Sequence, residues 1–204
     1  MSLAIAERLG RMSPQEFRAF QDGRPDEERW ELYDGVPVMM SPALLTHNRI
    51  ASNLERLLND ALASHDPSRL AQQRPGLELA GSGDYRPEPD LAVMDSDYQP
   101  DQRYLTRAYL LAEIASTTDR DSVPGRREAK LDAKRRIYRA HDACEAILSV
   151  EQDRMEALVE LRTDRGWMER RLSGPDAELA LPSFGLRCRL GDLYEHTPIG
   201  RGGG

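Results

Sequence analysis

Tyr109-Leu110-Leu111-Ala112-Glu113-Ile114-Ala115 is an apolar run of strand length broken by one carboxylate, and Pro87-Glu88-Pro89-Asp90-Leu91-Ala92-Val93-Met94 is a second run that opens on another. Both read as buried strands, the prolines confining the start of the second and not its middle. A carboxylate in such a setting is informative, because burying it without a partner costs on the order of several kcal/mol. Asp90 and Glu113 lie 23 residues apart, room for two adjacent strands and their connection. If those strands pair, two acids converge on one hard cation of the Mg²⁺ kind, which takes one or two protein carboxylates and fills its shell with water and phosphate. The plainer alternatives are an Asp facing water at a strand end and a Glu paired with an arginine.

Working outward, Ser13-Pro14-Gln15-Glu16 predicts a short helix to about Phe20, from its Ser cap, first-turn proline and capping-box glutamate. Arg29 to Met40 carries Trp30, Leu32, Tyr33, Val36, Val38 and Met39 around Asp34-Gly35, which predicts a hairpin. Ser41-Pro42 is expected to cap a long helix whose apolar positions are Leu44, Leu45, Ile50, Ala51, Leu54, Leu57, Leu58, Ala61 and Leu62. Arg69 to Ala80 reads as weakly extended and Gly81 to Asp84 as a loop. Pro124 is expected to open a helix to about Ala140, followed by strands at Ala143 to Val150, Met155 to Leu161 and Trp167 to Leu172. Pro182 to Cys188 reads as extended and Gly191 to Tyr194 as a closing helical turn. This order predicts an α/β (α+β) fold, a central mixed β-sheet flanked by helices, forming a single domain over residues 1–198 with 199–204 as a flexible C-terminal tail.

The chain has 204 residues, 39% hydrophobic and 31% charged, the size and composition of one globular domain. No apolar run reaches the roughly 18 residues of a membrane span. The opening MSLAIAERLG lacks the basic-then-apolar order of a secretory leader, so a cytoplasmic location is expected. Cys144 and Cys188 stand without a His or second Cys at ligand spacing, which argues against a disulfide framework or a zinc site. The formal charge of -7 excludes wholesale polyanion binding, so any nucleic-acid contact must be local. Arg120 to Arg139 holds eight basic residues against three acidic ones, a patch in which Arg126 and Arg127 are candidate DNA contacts. A solvated helix laced with salt bridges would have the same composition.

Lysines are rare: of 28 Lys and Arg only Lys130 and Lys134 are lysines. On a helical wheel both fall on the apolar face with Leu131, Ala133, Ile137 and Tyr138, while Glu128, Asp132, Arg135, Arg136 and Arg139 fall opposite. An ammonium facing the sheet calls for carboxylate partners, and Asp90 and Glu113 are the natural ones; stems that snorkel to water also satisfy the pattern. A cation, two carboxylates and an ammonium in one cleft are the equipment for hydrolysing a phosphodiester. Glu31, beside Trp30, is a third acid within reach of such a cleft. His47 shares the buried side of the long helix with residues 51, 54 and 58, as a core histidine or a contributor to the site.

Trp30-Glu31-Leu32-Tyr33-Asp34-Gly35, Met39-Met40-Ser41-Pro42, His47, Arg86-Pro87-Glu88-Pro89-Asp90, Ala112-Glu113-Ile114-Ala115-Ser116, Lys134 with Tyr138, Leu181-Pro182-Ser183-Phe184-Gly185-Leu186 and Asp192-Leu193-Tyr194 follow in an order that resembles the Uma family of restriction-endonuclease-like proteins, within the PD...(D/E)xK nuclease superfamily. The likeness covers nearly the whole chain. It implies a restriction-endonuclease-like mixed sheet with the acidic pair on neighbouring strands, Asp90 and Glu113 as ligands of Mg²⁺ or Mn²⁺, and Glu31 nearby. The superfamily's (D/E)xK would place lysine at position 115, where this chain has Ala115. The resemblance supplies the lysine from the next helix, Lys134, with Lys130 as a possible substitute. The expected activity is metal-dependent cleavage of DNA, with His47 joining Arg126 and Arg127 at the DNA. The rivals are a noncatalytic DNA-binding or interaction protein that retains the nuclease fold, and a hydrolase of small phosphoesters. A homodimer would widen the grip of one small acidic subunit on a duplex, although no residue singles it out.

Overall fold

The two apolar runs become neighbouring central strands. In a computed structural model of the chain, which describes residues 10–25 and 27–201, Ser13 caps α1 (Pro14–Asp22) through a capping box with Glu16. β1 (Trp30–Tyr33) and β2 (Val36–Met39) form the hairpin. Its turn has positive φ at Asp34 (50°) and Gly35 (77°), which Asp-Gly tolerates and most residues do not. α2 (Leu45–His65) precedes β3 (Arg69–Gln73), β4 (Gly76–Leu77), β5 (Leu91–Asp95), β6 (Tyr104–Leu105) and β7 (Leu110–Ala115). Then come α3 (Lys130–Ala140), β8 (Ala146–Glu151), β9 (Glu156–Thr163), β10 (Gly166–Ser173), β11 (Glu178–Leu181), β12 (Leu186–Arg189) and α4 (Pro198–Arg201).

Six strands form one mixed sheet in the order β10-β9-β8-β7-β5-β3, with β7 and β8 parallel and every other pair antiparallel. A parallel pair needs a crossover, and α3 lies within the one joining β7 to β8. Strand alternation separates two cores. Leu91, Val93, Leu110, Ala112, Ile114, Leu148 and Val150 pack with Ile50, Leu54, Leu58 and Leu62 of α2. Ala92, Leu111 and Ile147 pack with Ala133, Ile137 and Tyr138 of α3 and with Tyr33 of the hairpin. Those four α2 side chains are almost wholly buried, worth about 6–12 kcal/mol together before the cost of ordering the chain. Glu113 alternates onto the α3 face, the side from which a lysine can reach it.

Several boundaries differ from the sequence reading. α2 starts at Leu45, with Leu44 as an N-cap that makes no side-chain cap bond, so Ser41-Pro42 does not cap it. Its buried stripe runs through His47, Ile50, Ala51, Leu54, Leu58 and Leu62; Leu45 is about 200° around from His47 at 100° per residue and faces solvent. α3 starts six residues after Pro124, because Gly125 at φ 74° turns the chain and a Ser122–Ala129 bridge closes that turn. The stretch 182–188 is split by a 3₁₀ turn (Pro182–Phe184) and left-handed Gly185, and β12 pairs with β11, a strand that the sequence reading omits. The weak segment 69–80 holds β3 and β4. The expected tail begins inside structure: α4 carries Ile199 onto the core, and Gly200 N–H donates to Thr197 Oγ1. Residues 202–204 and the N-terminal 1–9 lie outside the described residues. Both cysteines are free, Cys144 buried with its thiol pushed up by burial to about 12. Among the described residues no helix is long and apolar enough to cross a membrane.

Candidate active site

The β5–β7 register pairs Leu91 with Ala112, so one further step sets Asp90 across from Glu113. Asp90 Oδ2 accepts from Ile114 N–H at 2.8 Å and its Oδ1 meets His47 Nε2 at 3.0 Å. Glu113 is 2% exposed. Its Oε2 accepts from Lys134 Nζ at 2.9 Å and its Oε1 from the Tyr138 hydroxyl at 2.6 Å. Lys134 and Tyr138 are one helical turn apart, which is why one carboxylate can span both.

The hairpin brings the third acid. Glu31, 1% exposed, forms an ion pair with Lys134 Nζ at 2.9 Å through Oε1, which also accepts from Glu88 N–H at 2.8 Å, and accepts from the Tyr33 hydroxyl at 2.6 Å through Oε2. Lys134 also donates to the Glu88 carbonyl at 3.2 Å. Each glutamate therefore rests one oxygen on a tyrosine and the other on the same ammonium. Asp119, on the 3₁₀ turn after β7, accepts from Ser116 N–H at 2.8 Å. Glu88 is held by the Arg29 guanidinium, at 2.7 Å from its Nη2. Arg29, Glu31, His47, Glu88, Asp90, Glu113 and Lys134 line a cavity of about 270 Å³ together with residues 40–44, Ser116 to Asp119 and Gln152.

Burial pushes the Glu113 carboxyl well above the usual carboxylate range, and the Lys134 charge opposes that push. Burial alone would lower Lys134, but Glu113 and Glu31 outweigh it and hold the ammonium charged well above the ordinary lysine range. For Asp90, burial would raise the pKa; the hydrogen bond and charge of His47, the Lys134 charge and the Ile114 N–H overcome it and leave the carboxyl below its usual value. Burial raises Glu88, with Arg29 opposing. Burial also raises both phenols, Tyr33 and Tyr138, so each remains a hydrogen-bond donor.

Of the residues singled out in the sequence, Asp90, Glu113, Lys134, Glu31 and His47 meet here. His47 is bonded to Asp90 and 7% exposed, which makes it a partner of that acid within the cavity lining. Lys130 does not join them. It is the first residue of α3, half-buried, with no ion pair among the described residues, and lies outside the cavity lining. Arg126 grips Asp34 at the hairpin turn at 2.6 Å, and exposed Arg127 lies outside the cavity lining. The basic patch is largely neutralised: Arg120 pairs with Glu151, Arg136 with Glu128, and Arg135 and Arg139 both with Glu160 and Glu169. Sequence reasoning misses Arg29, Glu88, Asp119 and the gripping roles of Tyr33 and Tyr138. Glu88 stands inside the quoted Pro-Glu-Pro-Asp, and Tyr138 sits at four-residue spacing from Lys134, signals that point to them.

Among the described residues no three His, Cys, Asp or Glu side chains form a ready-made ligand cluster. The donor set still fits a hard cation. Asp90 and Glu113 are oxygen donors on paired strands, and a carboxylate has about four acceptor sites, more than their present partners use.

Residues 14–191 match the Uma2 family, described as "Putative restriction endonuclease". The chain belongs to the Uma2 family. A crystal structure described as "a putative nuclease belonging to DUF820", from Anabaena variabilis ATCC 29413, aligns with a TM-score of 0.65 at 16% identity, over 86% of this chain and 94% of that one. At that identity the likeness is one of fold, and it agrees with the nuclease-like description of Uma2. No protein of curated function matches this chain.

Proposed function

We propose that this Uma2 chain is a Mg²⁺- or Mn²⁺-dependent DNA endonuclease whose cleft hydrolyses phosphodiester bonds. The observation that carries the reading is the Lys134 ammonium, buried and shared between Glu113 and Glu31 beside Asp90 in the lining of one cavity. Asp90 and Glu113 would hold the cation. Bound there, it would polarise a phosphoryl oxygen and lower the pKa of an attacking water. Ile114 N–H and His47 orient Asp90, and Tyr138 fixes the opposite edge of Glu113. Lys134 supplies from a helix the positive charge that Ala115 lacks on the strand, placed to steady a developing negative charge.

Supercoiled plasmid incubated with the protein and Mg²⁺, Mn²⁺ or EDTA tests this. Metal-dependent nicking, lost in Glu113→Ala and Lys134→Ala, is the expected result; equal nicking by Glu113→Ala would overturn the assignment. One observation favours a second reading, a DNA-binding protein without cleavage: the Lys134 ammonium is already hydrogen-bonded to Glu113 and the Glu88 carbonyl and ion-paired with Glu31. Saturable DNA binding with no nicking in any metal would select it.

A further inference from the structure

Two leucines stand in solvent beside the cleft, Leu44 at 63% and Leu45 at 86% exposure. The other large apolar side chains exposed among the described residues are Tyr98 and Met168, each isolated in sequence, so this is the one adjacent pair. Leu44 lines the cavity that holds Asp90, Glu113 and Lys134. Leu45 lines a neighbouring depression with Asn48 and Arg49. Nothing in the packing of α2 accounts for them, since its buried stripe passes on the other side.

The cations around this tip differ from those of α3. Arg49, one turn beyond Leu45, is exposed and makes no hydrogen bond or ion pair among the described residues. Arg74 donates its backbone N–H to the Asp90 carbonyl at 3.3 Å and its guanidinium to the neutral Asn48 Oδ1 at 2.8 Å, and meets no carboxylate among the described residues. Its φ of 54° places a non-glycine in the left-handed region, a conformation kept where surrounding contacts fix it. An arginine already on a carboxylate must break that pair to take a phosphate, which is the position of Arg120, Arg126, Arg135, Arg136 and Arg139. Arg49 and Arg74 have no such pair to break. An apolar tip flanked by guanidiniums without carboxylate partners matches a strand of nucleic acid, whose bases take apolar wedges and whose phosphates take arginine.

We infer that Leu44 and Leu45, with Arg49 and Arg74, form the nucleic-acid grip of this chain: the leucines enter beside an unstacked base and the arginines meet phosphates of the strand led into the cleft. This rests on the phosphodiester reading of that cleft. It places the DNA contact at the start of α2, away from Arg126, which is held by Asp34.

The test measures binding of the full chain to a fluorescent DNA duplex carrying 2-aminopurine, in Ca²⁺ and in EDTA, with plasmid nicking in Mg²⁺ alongside. The leucines are in solvent, so Leu44→Ser/Leu45→Ser does not lower the melting curve, and a serine at the N-cap position adds a cap to α2. This variant is expected to bind at least about tenfold more weakly and to lose the 2-aminopurine rise, with its salt dependence unchanged. Arg49→Ala and Arg74→Ala are each expected to reduce the slope of log K against log salt by about 0.9. Wild-type affinity, slope and 2-aminopurine response in all variants would overturn the proposal. So would a wild-type dimer, seen by light scattering, that the leucine substitutions dissolve without changing DNA affinity, since the tip would then dock a second copy. Wild type that binds with the 2-aminopurine response but never nicks, with that response lost in the leucine variant, overturns the catalytic reading and supports the grip. Nicking that all the variants retain overturns the grip alone, and wild type that neither binds nor nicks overturns both.

Discussion

Replacing Lys134 by methionine removes a charge and keeps most of the stem. The side chain is 3% exposed and its ammonium lies 2.9 Å from each of Glu31 and Glu113, themselves 1% and 2% exposed. Truncating one partner of a buried pair leaves uncompensated charge and costs about 3–5 kcal/mol. For a domain of this length that is a fall of about 6–20 °C in Tm. The loss should also depend on pH. In the wild type the raised Lys134 pKa contributes stability that is fully present below the ordinary lysine range and disappears only as pH climbs through the folded value. It therefore adds no slope near neutrality. Burial already raises Glu113 in the wild type against the opposing ammonium; without that ammonium the folded value rises further, so the variant loses more stability than the wild type as pH rises above the ordinary carboxylate pKa, about 4.3. Urea unfolding followed by circular dichroism at pH 5 and pH 8 should show the larger deficit at pH 8, and Glu31→Gln added to the variant should recover part of it. A deficit below about 1 kcal/mol, equal at both pH values, would refute the compensating role of the ammonium.

Tyr138→Phe deletes the 2.6 Å bond to Glu113 and should cost about 1.5–3 kcal/mol in urea unfolding, the range for hydrogen bonds to charged groups. Asp34 is pulled from 3.8 to about 2, chiefly by the Arg126 hydrogen bond with Arg11 assisting. Its contribution is thus present above the ordinary Asp pKa and lost as pH falls toward 2, and Arg126→Ala should move the carboxyl NMR titration upward. Gly185→Ala should destabilise by more than the roughly 1–2 kcal/mol of a left-handed alanine, because at φ 66° its Cβ would also lie 2.6 Å from His65 Cβ; thermal melting reads this directly.

The chemistry is legible in the sequence where burial conflicts with charge. Glu113 sits alone among Leu, Ala and Ile, and Lys134 falls on the same helical face as Ile137 and Tyr138, so each calls for a partner on sequence grounds alone. Lys130 passes the same wheel test and fails in space. Helical side chains lean toward the N-terminus, and the first residue of α3 has no preceding turn to lean over. Arg126, Arg135, Arg136 and Arg139 read as a basic patch because a linear count stops at their own segment. Their carboxylates arrive partly from the hairpin, β9 and β10, through Asp34, Glu160 and Glu169. Leu44 and Leu45 read as core on hydrophobicity, which carries no phase when the start of the helix is misplaced. The mixed sheet survives these errors, because its central strands depend on short apolar runs and not on where loops end.

One helix carries two carboxylate clasps, offset by a single residue. Lys134 and Tyr138 close on Glu113 of β7, while Arg135 and Arg139 close on Glu160 of β9, which is wholly buried. Together they act as a ratchet pawl on the rotation of α3. A slip of one residue would turn the helix about 100° and offer Arg135 to Glu113, a planar guanidinium where a compact ammonium now fits between two glutamates. The surface clasp thereby protects the identity of the cation at the site, although none of its atoms enters the cleft.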